Sequence, residues 1–99
     1  MENQHRKING YRELSQEEID LMNEIKSFGP LLEQLCDKVR KHIDTQYEKA
    51  YGSEPSEADV EEVSRLVTAD PLHWENWGRS TAQTVLMYLT RAVAQPTFF

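Results

Sequence analysis

The chain has 99 residues, which fits one domain, and a domain this small buries a limited core, so further stabilisation by self-association is expected. Its 17 acidic and 11 basic side chains give a net charge of −6, which argues against a general nucleic-acid binder, since such proteins neutralise many phosphates. A small anionic ligand needs only a few cations and remains compatible with this charge. The lone cysteine, Cys36, excludes an intrachain disulfide and a cysteine-based zinc site.

Neither an apolar signal sequence nor a run of roughly 20 apolar residues occurs, so a soluble protein of a reducing cytoplasm, without membrane contact, is expected. The histidines His5, His42 and His73 are widely separated, and no Gly-rich phosphate loop is found. No metal site and no cofactor are therefore predicted.

The first segment, residues 1–14, lacks helical periodicity and is predicted to be a basic arm. Residues 1–12 hold three basic groups and one acidic group, whereas residues 13–25 hold five acidic groups and no basic one. Asn9-Gly10 is a turn signal within the arm. On composition alone, a flexible arm and a local anion-binding site both fit this segment.

Ser15 and Glu18 have the spacing of a capping box, which predicts a helix over residues 16–28. Gly29 can close that helix and Pro30 can open the next, because the first helical position needs no N–H donor. The Gly29-Pro30 step therefore predicts a kink or tight corner.

Apolar residues at helical spacing predict a long helix from Leu31 to about Tyr51. Gly52, Ser53 and Pro55 interrupt it, and Ser56 with Asp59 resembles a cap before a short helix at residues 60–67. Asp70-Pro71 predicts the start of a last helix that ends near Gln95-Pro96. With no alternating strand pattern, the predicted class is all-α: a single domain over residues 1–99 with a short N-terminal helix and two longer helices.

The tail, residues 96–99, closes with two aromatic residues, Phe98 and Phe99. Exposed aromatics at a chain end are avoided on a monomer's surface. Two interpretations stay open: the two phenylalanines dock on a neighbouring copy, or they fold back onto their own chain.

Lys26 follows Ile19 and Met22 at helical spacing, which places a cation at the end of an apolar stripe. Snorkelling of its stem, with the ammonium at the helix end, is the structural interpretation. The functional interpretation is a phosphate contact through a charge-assisted hydrogen bond. Tyr11, after the Asn-Gly turn, is either a lid on the first helix or a stacking platform for a base. Arg6, Lys7 and Arg12 are auxiliary candidates.

The block NQHRKINGYRELSQEEIDLMNEIK at residues 3–26 resembles the N-terminal motif of the phage anti-CBASS sponge proteins, and RAVAQP at residues 91–96 is similar to their tail. The middle of the chain is more divergent. The resemblance implies a helical homohexamer in the host bacterial cytoplasm that sequesters cyclic dinucleotides such as 3′,3′-cGAMP without cleaving them. The family's ligand-gripping tyrosine and lysine match Tyr11 and Lys26.

Members of that family also bind cyclic trinucleotides at separate sites, for which the resemblance makes His73 and Arg65 candidates. His73 stands where the family pattern has an arginine, which puts this second site in doubt. A surface histidine and an ordinary Glu61–Arg65 helix pair are the structural interpretations. Two other functions stay open, a protein-binding or structural oligomer and a cyclic-nucleotide phosphodiesterase.

Overall fold

A computed structural model of the chain describes residues 12–98, in which there are three α-helices, one short 3-10 turn and no β-strand. The helices are α1 (Gln16–Tyr51), α2 (Val60–Ala69) and α3 (Pro71–Ala94), and the 3-10 turn is Pro55–Glu57. The predicted all-α class is confirmed for this part of the chain. The predictions for residues 1–11 of the basic arm, with its Asn9-Gly10 turn, Arg6, Lys7 and Tyr11, and for Phe99 lie outside it. No helix over residues 12–98 is long and apolar enough to span a membrane.

The predicted capping box at the start of α1 is confirmed. The backbone N–H of Glu18 donates to the Ser15 hydroxyl at 3.1 Å, and the N–H of Ser15 donates to Oε1 of Glu18 at 2.8 Å. Two backbone donors at the helix start are thus satisfied by two side chains of the same turn.

The predicted tight corner at Gly29-Pro30 is wrong, because α1 continues through both residues as a single 36-residue helix, and the alternative of a kink inside that helix stays a prediction. The short N-terminal helix over residues 16–28 is therefore the first part of a long one. A proline inside a helix removes one hydrogen bond, here the one that would reach the carbonyl of Lys26. The apolar pattern on both sides of Pro30 keeps the same helical phase, and tertiary packing of that pattern outweighs the local break.

The later helix boundaries lie at the predicted glycine, cap and proline residues, with one correction. Gly52, with φ of +71°, ends α1, and a Cβ there would lie 2.7 Å from Cβ of Glu57, so only glycine fits. The cap of α2 is Asp59 itself, which accepts from the N–H of Glu62 at 3.1 Å, whereas Ser56 lies in the 3-10 turn. Pro71 opens α3 as predicted.

The contacts of the chain divide into two compact units. Unit 1 takes the described residues of Met1–Leu31 and Ala82–Phe99, and unit 2 is Leu32–Thr81. In unit 1 the first part of α1 runs antiparallel to the last part of α3, and a Cβ at Gly29 would lie 3.9 Å from Cδ1 of Leu86. A Cβ at that distance would be in ordinary van der Waals contact, so the packing here does not require glycine at residue 29.

Unit 2 holds the buried residues of the described part of the chain, which are Ile43, Ala50, Leu66 and Glu75. Glu75 is a charged group in this core, and it is held by two guanidinium groups. Arg79 Nε donates to it at 2.9 Å and Arg40 Nη1 at 3.4 Å. Because a buried carboxylate is costly without such partners, the ion pairs explain how it is accommodated.

Candidate functional site

A cavity with a volume of about 820 Å³ lies in unit 1. That volume falls in the range of small-molecule sites, roughly 300–1,000 Å³. Its walls are mainly apolar with a few polar groups, the composition expected of a ligand pocket. We call it the unit 1 pocket; its lining residues are Arg12, Leu14, Met22, Asn23, Ile25, Lys26, Gly29, Leu86, Met87, Thr90, Arg91, Ala94 and Pro96.

Helical periodicity explains why these residues face one space. On α1 the lining positions Met22, Ile25, Lys26 and Gly29 follow the i, i+3, i+4, i+7 pattern of one helix face. On α3 the same spacing is repeated by Met87, Thr90, Arg91 and Ala94. Two helix faces, each with one cation, therefore form the opposing walls of the unit 1 pocket.

Lys26 lines the unit 1 pocket from α1. Because α1 continues to Tyr51, Lys26 lies within the helix, so the predicted position of its ammonium at a helix end is wrong. Its side chain is exposed. Among residues 12–98 the ion pairs of the structure leave the Lys26 ammonium without a carboxylate partner. A cation that faces an apolar cavity in this way is available to an anionic ligand.

Arg12 also lines the pocket, but its guanidinium already has two intramolecular partners. Nη1 donates to Oε1 of Glu18 at 3.1 Å, Nη2 pairs with Oε2 of the same carboxylate, and Nη2 donates to the carbonyl of Val93 at 2.7 Å. Arg12 thus connects the first turn of α1 to the last turn of α3, where free carbonyls attract cations. Its predicted role in ligand binding stays a prediction.

This arrangement changes the acidity of Glu18. The hydrogen bond from Arg12, followed by the bond from the backbone of Ser15, lowers the pKa of Glu18 from 4.5 to about 2. The same contact raises the pKa of Arg12. The pair therefore stays charged across the neutral and mildly acidic range.

Sequence reasoning missed the residues that α3 contributes to the pocket, in particular Thr90 and Arg91, and also Asn23 on α1. Arg91 lies in the last turn of α3 and donates from Nη2 to the carbonyl of Phe98 at 3.1 Å. A basic residue in a last helical turn is commonly explained by the helix dipole, which is why the sequence did not single it out. The signal that could have found it is the shared spacing of Met87, Thr90 and Arg91 on one face.

The two trinucleotide candidates lie in unit 2. The ring of His73 is half-buried and packs 4.7 Å from that of Trp77 and 5.1 Å from that of Trp74. Arg65 is engaged as a helix pair, but the predicted partner Glu61 is wrong. Nε and Nη2 of Arg65 donate to the two oxygens of Glu62 at 2.6 and 2.7 Å, because the i, i+3 spacing lets the guanidinium face both oxygens.

No group of three or more His, Cys, Asp or Glu side chains able to hold a metal ion is found within residues 12–98. The unit 1 pocket combines an apolar lining with the amide of Asn23, the cations of Lys26 and Arg91, and the hydroxyl of Thr90, which donates to the carbonyl of Leu86 at 2.8 Å. Such a set suits binding of an amphipathic anion.

No protein-family model matches the chain. It is 39% identical over 105 aligned positions to anti-CBASS protein 2 of Pseudomonas phage JBD67, and the alignment covers 97% of this chain and 97% of that protein. Identity at this level across nearly the full length includes the helices that form the unit 1 pocket. The chain therefore belongs to the anti-CBASS protein 2 family.

Proposed function

We propose that this protein is a phage immune-evasion protein that binds cyclic dinucleotide messengers of CBASS defence, such as 3′,3′-cGAMP, and sequesters them in the host cytoplasm without cleaving them. The observation that carries the proposal is the position of Lys26, an exposed cation on the mainly apolar unit 1 pocket of about 820 Å³. Membership of the anti-CBASS protein 2 family supports a role against this defence.

The chemistry of the messenger fits the pocket. A cyclic dinucleotide combines two bases, which prefer apolar and aromatic surroundings, with two phosphates, which need cations. Met22, Ile25 and Leu86 supply apolar surface, and Lys26 supplies a cation at its border. Tyr11, the neighbour of Arg12 in the sequence, is proposed to stack on a base, a contact worth about 1–3 kcal/mol.

The approximate twofold symmetry of the ligand matches a site shared by two copies of the chain. A dimer axis presents the same side chain twice, so one Tyr11 and one Lys26 from each copy would serve both halves of the ligand. A sponge that holds a messenger at about 10 nM needs nanomolar dissociation constants, about −12 kcal/mol, and a molar excess of sites. Two stacks and two phosphate contacts on ordered helices can reach that affinity.

Calorimetric titration with cyclic GMP–AMP tests the proposal. Lys26→Ala is expected to weaken binding by about 100-fold or more, because each charged hydrogen bond contributes about 1.5–3 kcal/mol and the shared site loses two. The thermal midpoint of the variant should stay close to that of the wild type, since the Lys26 side chain is exposed. The matched control is Lys41→Ala, which removes the same charge from an exposed position of α1 in unit 2.

Two results would contradict the proposed sponge function. Absence of binding to every cyclic dinucleotide, or equal binding by wild type and Lys26→Ala, would remove the proposed site. Recovery of a linear or shortened nucleotide after heat release of the ligand would instead indicate a phosphodiesterase. Full recovery of the intact ring is the expected result.

A second binding site for cyclic trinucleotides at His73 and Arg65 stays a prediction of the family resemblance. Within unit 2 the ring of His73 packs against Trp74 and Trp77, and the guanidinium of Arg65 donates to Glu62. Titration with a cyclic triadenylate against His73→Ala and Arg65→Ala, with the Lys26→Ala variant as the dinucleotide reference, separates the two sites.

A further inference from the structure

We propose that unit 2 carries a binding site for a short aliphatic diamine or polyamine at the corner where α1 ends. The site is a cavity of about 670 Å³, which we call the corner pocket; its lining includes Tyr47, Glu48, Lys49, Tyr51 and Glu57. The inference goes beyond the proposed function, because it concerns other residues and a ligand of opposite charge.

The backbone of this corner is fixed by its own hydrogen bonds. Gly52 ends α1 with φ of +71°, and its N–H donates to the carbonyl of Glu48 at 3.0 Å. The N–H of Asp59, the cap of α2, donates to the carbonyl of Ala50 at 2.7 Å. The side chains that line the corner pocket therefore project from an ordered frame, which lowers the cost of binding a ligand.

Two stacked tyrosines form an aromatic surface in the pocket. The rings of Tyr47 and Tyr51 have their centroids 6.3 Å apart, and their planes are 16° from parallel. The hydroxyl of Tyr47 donates to the carbonyl of Leu66 at 3.4 Å, which holds this ring in place, while Tyr51 is 51% exposed. The face of a tyrosine ring attracts a cation, and its apolar area suits the methylene chain of a diamine.

Two carboxylates line the corner pocket from different elements, Glu48 from α1 and Glu57 from the 3-10 turn. Both residues are exposed, and neither forms an ion pair with another residue of the range 12–98. A carboxylate forms its strongest hydrogen bonds with a charged donor. Two such groups beside an aromatic surface match a ligand with two ammonium groups joined by an apolar chain.

The end of α1 adds to the negative potential of the pocket. The last carbonyls of a helix lack partners inside it and attract cations. The carbonyls of Glu48 and Ala50 accept backbone N–H groups, whereas no described residue donates a backbone N–H to the carbonyls of Lys49 and Tyr51 beyond the helix. Among the described lining residues, Lys49 alone carries a positive charge. A dication thus meets two carboxylates and a helix end against one lysine.

Fluorine NMR of the full chain, labelled with fluorotyrosine at its four tyrosines and titrated with putrescine at low salt, tests this site. The resonances of Tyr47 and Tyr51 should shift with one dissociation constant, and Tyr51→Phe assigns them. The resonance of Tyr88, an exposed tyrosine of unit 1, should not shift. n-Butylamine has the same chain and one charge, so it should bind about 2- to 5-fold more weakly, the contribution of one exposed ion pair.

Charge variants identify the groups that hold the ligand. Glu48→Gln and Glu57→Gln should each weaken putrescine binding about 2- to 5-fold. Lys49→Gln should strengthen it, because the variant removes a cation that repels the ligand. The matched control is Glu61→Gln, which removes the same charge from an exposed position of α2 in unit 2 and should leave binding unchanged. All four side chains are exposed, so the thermal midpoints should stay close to that of the wild type.

Three results would overturn the assignment. If Glu61→Gln weakens binding as much as Glu48→Gln and Glu57→Gln, putrescine only joins the counterions of an acidic protein. If n-butylamine binds as tightly as putrescine, the pocket does not select two charges. If N-acetyl-arginine amide binds more tightly than putrescine, the pocket takes an arginine side chain of a protein partner and not a polyamine. None of these results bears on cyclic dinucleotide binding in unit 1.

Discussion

At the scale of single residues, Glu18 joins three parts of the chain. It closes the capping box with Ser15 and pairs with Arg12, whose guanidinium also reaches the carbonyl of Val93 at the end of α3. The side chain of Glu18 is 26% exposed. The carboxylate of Glu18 therefore orients residues 12–15, which precede α1 and follow Tyr11 in the sequence.

Stability should depend on the ionisation of Glu18. Its pKa is lowered from 4.5 to about 2 in the folded chain, so its stabilising contribution is complete above about pH 4.5 and is lost as the pH falls towards 2. Glu18→Gln should therefore be less stable than wild type at neutral pH, and the difference should fade between pH 4.5 and 2. Urea unfolding at a series of pH values measures it.

The neighbouring carboxylate provides the control for this prediction. Glu17→Gln changes the same charge in the same first turn of α1, but within residues 12–98 Glu17 is not a partner of Arg12. Its stability should differ little from wild type over this pH window. An equal pH dependence for the two variants would contradict the role assigned to the Arg12–Glu18 pair.

At the scale of elements, α1 is a helix that tolerates a proline in its interior. Pro30 removes the hydrogen bond to the carbonyl of Lys26, one turn earlier on the wall of the unit 1 pocket. The division between the two units also falls beside it, after Leu31. The helix is continuous because packing on both sides supports it, while the proline still lowers its stability.

Pro30→Ala should stabilise the protein. Proline is about 3 kcal/mol less favourable than alanine inside a helix, and the stiffer unfolded chain of the wild type offsets part of this, about 0.4–1 kcal/mol. We expect the free energy of unfolding to rise by about 1–3 kcal/mol. Chemical denaturation at fixed protein concentration measures it, because self-association would couple stability to concentration.

Gln34→Ala, at an exposed position one turn further along α1, is the matched control and should change stability by a few tenths of a kcal/mol. A loss of stability in Pro30→Ala would show that the native backbone at this position requires proline. It would contradict the conclusion that packing on both sides keeps α1 continuous in spite of Pro30.

At the scale of the whole molecule, many large apolar side chains within residues 12–98 are exposed while few are buried. In unit 2, Trp74 is 63% and Trp77 is 60% exposed, and in unit 1, Met87 is 68% and Tyr88 is 70% exposed. Within unit 2 the rings of Trp74 and Trp77 lie 6.0 Å apart and form a local apolar patch, and such a patch marks an interaction site. It supports the proposed homo-oligomer, which the family resemblance implies to be a hexamer.

Light scattering of the wild type should give about six times the 11.6 kDa mass of the chain. Trp74→Glu combined with Trp77→Glu should shift the mass towards smaller species, because charges at a buried contact between copies would lose their hydration. Ser64→Glu, at an exposed polar position of α2, is the control and should leave the mass unchanged. A monomeric wild type would contradict the shared site proposed for the ligand.

The sequence by itself determined the helix boundaries that depend on local chemistry. The Ser15–Glu18 box, the glycine at residue 52 and Pro71 at the start of α3 act through their own turns, so neighbouring residues suffice to predict them. The cap of α2 was predicted in part, because Asp59 forms it without Ser56. The apolar stripe of Ile19 and Met22 that leads to Lys26 was visible for the same reason. The family resemblance added the candidate ligand and the roles of Tyr11 and Lys26, which stay predictions.

The tertiary structure decided what depends on distant parts of the chain. Whether Pro30 breaks α1 is a balance between one lost hydrogen bond and packing on both sides, and sequence reasoning misjudged it because packing is not local. The second wall of the pocket, with Arg91, is formed because the end of α3 lies beside the start of α1 in unit 1. A site shared by residues more than sixty positions apart is created by folding, since no single helix face contains it.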